Sequence, residues 1–242
     1  MKKRLLVPLI LFLTSAALYS QVSLHSINFF ADYSYPLKTR LAVTKIDAVG
    51  GGVELRFDLS KTFSVSLTGG YNLFSLQQDS AIKQWNWRFY TERYLGIIKD
   101  NLRADSSLAA TLSPIQKMDL IPLFFTFGAE FNPFDNFYIK PQIGSGIFFN
   151  TRRLYLEETW RKKFDAVNYT FEYSYRNFAT NKYGNPISAI AGLDIGYKIS
   201  EAFIINSAIK YFYFFRTPGK LGFDQFPVND YLNFKLGLTF LY

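Results

Sequence analysis

The sequence predicts an all-β protein, an antiparallel up-and-down β-barrel that crosses a membrane, with eight strands as the most consistent count. Three observations predict this fold. Apolar and polar residues alternate in many segments, the final segment, 232–242, shows the same alternation and ends on an aromatic residue, and short and long connections alternate along the chain. A period of two is that of a strand with two different faces, and roughly 9–11 residues suffice for a tilted strand to cross a bilayer.

The first 20 residues have the pattern of a secretory signal peptide. Residues 1–4 contain three basic side chains, residues 5–13 are apolar except for Pro8, and residues 14–17 supply small side chains for cleavage. The apolar run is well short of the roughly 20 residues that a spanning helix needs. We therefore expect an exported protein whose barrel domain comprises residues 21–242.

The composition narrows the class of protein and its partners. Aromatic residues make up 19% of the chain and cysteine is absent, so neither disulfides nor cysteine-based metal sites are expected. The net charge is +8, and the basic residues are scattered. This distribution favours contact with anionic lipid headgroups or glycans over nucleic acid. No motif indicates a cofactor.

The alternation places eight strands in chain order. They are expected at residues 24–33, 53–58, 63–73, 119–131, 137–149, 187–199, 203–215 and 232–242. The first strand has the weakest pattern. In the fourth, Leu123 and Phe125 are expected to face lipid and Glu130 the interior, as in barrels whose lipid-facing and lumen-facing residues alternate.

The connections are of two kinds. Residues 58–62, 132–136 and 200–202 form short connections that contain the Pro, Asn, Asp and Ser typical of turns. Residues 77–116, 151–184 and 216–229 form long ones. Outer-membrane barrels have short periplasmic turns and long extracellular loops, so both termini are expected in the periplasm.

With this pattern and with Phe240 and Tyr242 in its last strand, the chain resembles the small eight-stranded bacterial outer-membrane β-barrel proteins, namely the OmpA-type transmembrane domain and the OmpX and OmpW groups. The resemblance implies a location in the bacterial outer membrane, surrounded by its lipids. It also implies that the barrel-assembly machinery recognises Phe240 and Tyr242 in the C-terminal strand.

A barrel of ten strands is the main alternative. Residues 167–176 also alternate, within the second long connection. A further spanning strand there would move the later short turns to the opposite side of the membrane. Another, hidden strand would then be required to restore their side. We therefore expect this segment to project above the membrane as a hairpin with residues 153–157. In the first long connection, residues 95–112 are expected to form a helix.

Charged residues fall on the inward face of the expected strands. This lumen network comprises Glu54, Arg56, Glu130, Lys140, Asp194, Lys210 and Lys235. The interior of an eight-stranded barrel is only just wide enough for side chains to fill it. We therefore expect a mostly closed, salt-bridged lumen, with a charged path for small solutes as the alternative.

The long loops carry aromatic residues beside arginines, a combination that suits recognition of a protein or glycan. The candidate recognition residues are Trp85, Trp87, Arg88, Arg152, Arg153 and Trp160. The alternative is that the tryptophans form an interfacial girdle or pack the loops together.

The function expected from these features is surface interaction or envelope structure through the extracellular loops, with a host or environmental protein or glycan as partner. A small porin or hydrophobic-solute channel is the alternative. An enzyme is disfavoured, because the only histidine, His25, is expected near the periplasmic end of the first strand, far from the outer rim. No catalytic or metal-binding residues are therefore assigned.

Overall fold

The computed structural model describes residues 23–41, 43, 45–78, 81–217 and 223–242. The expected signal peptide lies outside these residues. The strands are β1 (Ser23–Thr39), β2 (Lys45–Asp58), β3 (Phe63–Gln77), β4 (Leu108–Ala129), β5 (Phe131–Phe134), β6 (Phe137–Phe164), β7 (Tyr169–Phe178), β8 (Lys182–Gly184), β9 (Ile187–Lys198), β10 (Phe203–Phe214) and β11 (Val228–Leu241).

Eight of these strands close into a barrel. The order around the ring is β1, β2, β3, β4, β6, β9, β10 and β11, and β11 pairs with β1, so that Phe29 lies opposite Leu238. Every neighbouring pair in the ring is antiparallel. The ring confirms the predicted fold class and the count of eight strands. It also shows that the weak first strand is a full member of the barrel.

The two faces of each strand have the burial expected of a lipid-embedded barrel. Neighbouring residues Phe124 and Phe125 are 6% and 57% exposed, and Lys235 and Leu236 are 3% and 64% exposed. Phe125 and Leu236 point outward and Lys235 points inward, the reverse of a barrel in water, while Phe124 points into an apolar part of the interior. Among the described residues, the helices are all too short or too polar to span a membrane.

Two glycines permit close packing inside the ring. A Cβ atom on Gly237 would lie 2.3 Å from Oδ1 of Asn28 and 2.8 Å from Oδ1 of Asn206. A Cβ atom on Gly144 would lie 2.0 Å from the carbonyl oxygen of Phe125 in the adjacent strand. A side chain at Gly144 would push the backbone of the adjacent strand away, and one at Gly237 would displace the side chains of Asn28 and Asn206.

Strands β4 and β6 continue beyond the barrel and form a projecting sheet with β7. Residues Tyr155 to Phe164 of β6 pair with Phe178 to Tyr169 of β7. The expectation of a projecting strand in the second connection is therefore confirmed. Its bounds differ from the predicted 153–157 and 167–176, because β6 continues as one strand to Phe164 and pairs there with β7.

The first long connection contains short helices followed by a strand. The helices are α1 (Ala81–Trp85), α2 (Arg88–Glu92) and α3 (Ile98–Ala104), with a π-helical turn at Arg93–Ile97 between α2 and α3. The predicted helix at 95–112 is wrong at its C-terminal end. Residues 108–112 belong to β4 and pair with residues 158–162 of β6, since the alternating Leu108, Ala110 and Leu112 pack against the helices.

Candidate functional site

A network of buried ion pairs fills the half of the lumen nearest the short turns. Oε2 of Glu54 lies 2.7 Å from Nζ of Lys235 and 3.2 Å from Nζ of Lys210. Nζ of Lys140 lies 3.8 Å from Oε1 of Glu54 and 3.8 Å from Oδ2 of Asp194. All five side chains are at most 3% exposed. Each charge thus has an opposite charge within reach, as burial requires.

A second set of ion pairs lies at the short-turn mouth of the lumen. Nη1 of Arg56 lies 2.5 Å from Oε2 of Glu130, and Nε of Arg56 lies 2.9 Å from Oδ1 of Asp58. Nδ1 of His25 lies 2.9 Å from Oδ2 of Asp58. The predicted lumen residues therefore fall into two clusters. The sole histidine lies at this mouth, as expected from its position in the first strand.

One carboxylate of the interior was missed by the sequence analysis. Asp32 accepts a hydrogen bond of 2.5 Å from Nδ2 of Asn72 and lies near Lys235. Its strand was predicted only from its weak pattern, and the inward face of that strand was not assigned. The full register of β1 against β11, in which Asp32 lies opposite Lys235, would have identified it.

The other half of the lumen, toward the long loops, is filled by apolar side chains. This aromatic plug comprises Val43, Ile46, Ala48, Phe74, Leu76, Met118, Leu120, Phe124, Phe148, Ile190, Phe212, Phe214, Phe226, Val228 and Tyr231. The ring centroid of Phe148 lies 5.5 Å from that of Phe212 and 5.1 Å from that of Phe214. The prediction of a charged interior therefore holds for only half of the lumen.

Space in the middle of the barrel is minimal, whereas a pocket of ≈ 240 Å³ opens at its short-turn mouth, beside His25, Arg56 and Glu130. One cavity of ≈ 10 Å³ lies among the ion pairs, beside Glu54 and Asp194, and another of ≈ 10 Å³ lies between Lys210 and Phe212. A cavity of this size holds about one water molecule. In the described part of the chain the lumen is closed, because ion pairs fill the half nearest the short turns and the aromatic plug fills the half toward the long loops.

Outside the barrel, the helices α1–α3 pack on one face of the projecting sheet and form with it a projecting module. Its buried cluster contains Tyr94, Ile98, Leu156 and Trp160. The carboxylate of Glu158 is fully buried beneath the helices. It accepts hydrogen bonds from Arg93 Nη2 at 2.9 Å and from Tyr94 Oη at 2.7 Å, which attach the helical segment to the sheet.

The Glu158 carboxylate is held in its charged form. Burial raises its pKa, but hydrogen bonds from Arg93, Tyr175, Tyr94 and Trp160 outweigh this effect and hold the pKa at about 2. A carboxyl group whose pKa is lower in the folded state stabilises the fold above its ordinary pKa, and this stabilisation is lost as pH falls toward the folded pKa.

We therefore expect the helices to detach from the sheet as the pH falls from about 4.5 to about 2, because protonation of Glu158 removes the charge that its donors bind. The measurement is tryptophan fluorescence, since all three tryptophans, Trp85, Trp87 and Trp160, belong to the module. Glu158→Gln should show the low-pH spectrum at neutral pH. An identical acid transition in wild type and Glu158→Gln would contradict the prediction.

The structure separates the predicted recognition residues into buried and accessible groups. Trp85 is 7% exposed, Trp160 6% and Arg152 2%. The prediction that these three contact a partner is corrected, because they pack the loops together. Arg152 lies over the Trp85 ring at 5.1 Å, and burial lowers its pKa to about 10. Trp85 and Trp160 therefore fit the alternative interpretation, in which the tryptophans pack the loops together.

The remaining three candidates are accessible to different degrees. Trp87 is half-buried against the helices, whereas Arg88 and Arg153 are exposed. Arg88 lies in α2 and pairs with Glu92 at 2.6 Å. Arg153 lies on the outward face of β6, just beyond the lipid-facing residues. These residues do not converge on one site.

An accessible aromatic surface was missed at the tip of the module. The exposed rings are Phe164, Tyr169, Phe171 and Tyr173. Neighbouring rings touch, with centroids 6.4 Å apart for Phe164 and Tyr169 and 5.7 Å apart for Phe171 and Tyr173. The signal was present in the alternation of residues 167–175, which was used only to count strands.

The fold is similar to those of solved bacterial proteins. Neisserial surface protein A is 8% identical over 91% of this chain and 99% of its own, with a TM-score of 0.47. The outer-membrane protein OprG of Pseudomonas aeruginosa is 12% identical over 91% and 97%, with a TM-score of 0.42. The attachment invasion locus protein Ail of Yersinia pestis, solved with the heparin analogue sucrose octasulfate, is 10% identical over 90% and 95%, with a TM-score of 0.41.

No protein-family model and no curated protein matches the chain. These proteins are similar in fold only, and the eight-stranded barrel itself is shown by the closed ring of strands.

Proposed function

We propose that the protein is an exported outer-membrane barrel whose extracellular module binds a host or environmental protein or glycan. The observation that carries this proposal is the contrast between the closed lumen and the accessible tip of the module. Beyond its short-turn mouth the lumen offers cavities of only ≈ 10 Å³, whereas β7 exposes several aromatic rings on a sheet that projects from the barrel.

The edge of the sheet adds a second kind of binding capacity. Among the described strands, β7 pairs only with β6, so its other edge presents unpaired backbone groups. Such an edge can accept an extended segment of another protein. The exposed rings of Phe171 and Tyr173 supply contact area at low entropic cost beside it.

Orientation follows from the same features. We assign the short turns to the periplasm and the module to the cell surface, as in barrels with short periplasmic turns and long outer loops. The exported state requires the expected signal peptide at residues 1–20. Closure of β11 against β1 is the step in which Phe240 and Tyr242 would be recognised by the barrel-assembly machinery. The backbone N–H of Tyr242 donates to the carbonyl of His25 at 3.0 Å.

The test is attachment of cells that display the protein to surfaces coated with proteins or with glycans. The double variant Phe171→Ser/Tyr173→Ser should reduce attachment at least about tenfold, because hot-spot aromatic side chains contribute about 2 kcal/mol or more. The matched control is Thr170→Ser/Ser174→Thr, on the opposite face of the same strand, which should leave attachment unchanged.

The porin or channel alternative has a separate test. Replacing residues 78–113 and 153–182 by tight turns should leave a folded barrel and abolish attachment. Steady single-channel currents from the intact protein that persist after this replacement and change with Lys210→Glu would establish the channel and refute the proposal.

A further inference from the structure

A pocket lies on the outer surface of the barrel where the lipid-facing strands pass into the projecting sheet. This interface pocket has a volume of ≈ 230 Å³, and its lining is Tyr71, Leu73, Lys117, Arg153, Tyr155, Arg176 and Phe178. All of its charged lining residues are basic. The proposed attachment surface at the tip of β7 lies higher on the module and shares none of these residues.

The height of the pocket relative to the membrane follows from the strand register. Ile121 and Phe149 are paired neighbours on the lipid-facing side and are 51% and 42% exposed. Lys117 and Arg153, also paired, lie four residues farther along the same two strands and on the same side. The pocket therefore lies at the level at which hydrocarbon gives way to lipid headgroups.

The carboxylates near the pocket leave most of its donors available. Oδ1 of Asp119 accepts hydrogen bonds from Nη2 of Arg153 and from Oη of Tyr71, each at 2.5 Å. Oε2 of Glu157 binds only Nε of Arg176, at 3.1 Å. A guanidinium carries five N–H donors, so each arginine keeps donors for another ligand. Both side chains are accessible, at 44% and 55% exposure.

Lys117 adds a cation that is not already neutralised. Within the described residues, no carboxylate lies within 4 Å of its ammonium group. Arg153, its partner across the strands, and Arg176 place two planar donor groups beside it. Guanidinium groups match the geometry of phosphate oxygens, and a lysine supplies a point charge.

The apolar part of the pocket completes its specificity. Leu73 is the aliphatic residue of the lining, on the outward face of β3, and Phe178 is 68% exposed. The guanidinium of Arg176 lies 5.3 Å from the centre of the Tyr155 ring, which fixes the orientation of both groups. A ligand with a phosphate, a sugar ring and acyl chains would place these parts against the cations, the aromatic rings and Leu73 respectively.

We propose that the interface pocket binds the phosphorylated headgroup of a glycolipid in the leaflet that surrounds the module. Basic residues directly outside a spanning segment favour anionic lipid. The inference rests on the proposed orientation of the barrel and is independent of the partner bound at the tip of β7.

The test is native mass spectrometry of the detergent-purified protein with diphosphorylated lipid A and with its dephosphorylated form. Wild type should retain the phosphorylated lipid at least about tenfold better, as expected for charge-assisted hydrogen bonds. Lys117→Gln should lower retention about tenfold, and Lys117→Gln/Arg153→Gln/Arg176→Gln about 100-fold. Lys117→Gln removes no ion pair, so its fold should be unaffected.

The matched control is Arg161→Gln, on the same face of the sheet, which loses a comparable ion pair with Glu172 of 2.7 Å. It should change retention less than twofold. Equal retention of the phosphorylated and dephosphorylated lipids, or an equal loss in Arg161→Gln, would overturn the proposal. Competition by glucosamine phosphate, which lacks acyl chains, should be at least about 100-fold weaker than by lipid A. Equal competition would identify a soluble phosphate site and refute the lipid.

Discussion

Replacing Glu54 by glutamine is expected to lower the free energy of unfolding by about 3–5 kcal/mol, because it leaves buried lysines without their common counter-ion. Three ammonium groups, those of Lys140, Lys210 and Lys235, lie within 4 Å of this one carboxylate. The amide keeps the shape of the side chain, so the loss reflects charge and not packing. The measurement is urea unfolding of the protein reconstituted in lipid or detergent.

Two controls isolate the effect of the charge. Glu201→Gln, in an exposed turn, should change stability by no more than about 0.5 kcal/mol. The double variant Glu54→Gln/Lys235→Met should be less destabilised than the sum of its single changes, since removing one lysine relieves part of the unbalanced charge. An unchanged stability of Glu54→Gln would mean that water screens these charges, and the lumen would then be hydrated and open to small ions.

The sequence was sufficient to predict the barrel because every spanning strand has two chemically different faces. A period of two is a local property, and Phe125 beside Thr126 or Leu236 beside Lys235 shows it without knowledge of the neighbouring strands. The number of strands followed from the alternation of short and long connections. The limits of β4 and β6 could not be predicted in the same way. A strand that leaves the bilayer keeps its period of two, although its faces no longer contact lipid and lumen.

The composition of the lumen was predictable only in part. Lys210 was recognised because a charge is conspicuous on an inward face, whereas Phe212 and Phe214 on the same face were hidden among outward aromatic residues. Which residues of different strands meet depends on register, as with Asp32 and Lys235. The burial of Trp85 and Trp160 depends on how the helices fold back on the sheet, and no local pattern specifies that contact.

The second large effect is expected from the aromatic plug. Phe148→Ala should lower the free energy of unfolding by about 3–5 kcal/mol, because the side chain is fully buried and its removal leaves a cavity. Phe149→Ala is the matched control at the next position of the same strand. Its side chain faces lipid and is 42% exposed, so we expect a loss of about 1 kcal/mol. Equal losses at the two positions would contradict the assignment of the faces of β6.

The cavity left by Phe148→Ala also tests whether the plug is dry. An apolar cavity in a closed core stays empty of water and binds a ligand such as benzene. The rings of Phe124, Phe212 and Phe214 would line this cavity. Benzene should therefore restore part of the lost stability of Phe148→Ala and leave Phe149→Ala unchanged, measured by the same urea unfolding. Failure of benzene to stabilise Phe148→Ala would indicate that water reaches this part of the lumen, which would contradict a closed barrel.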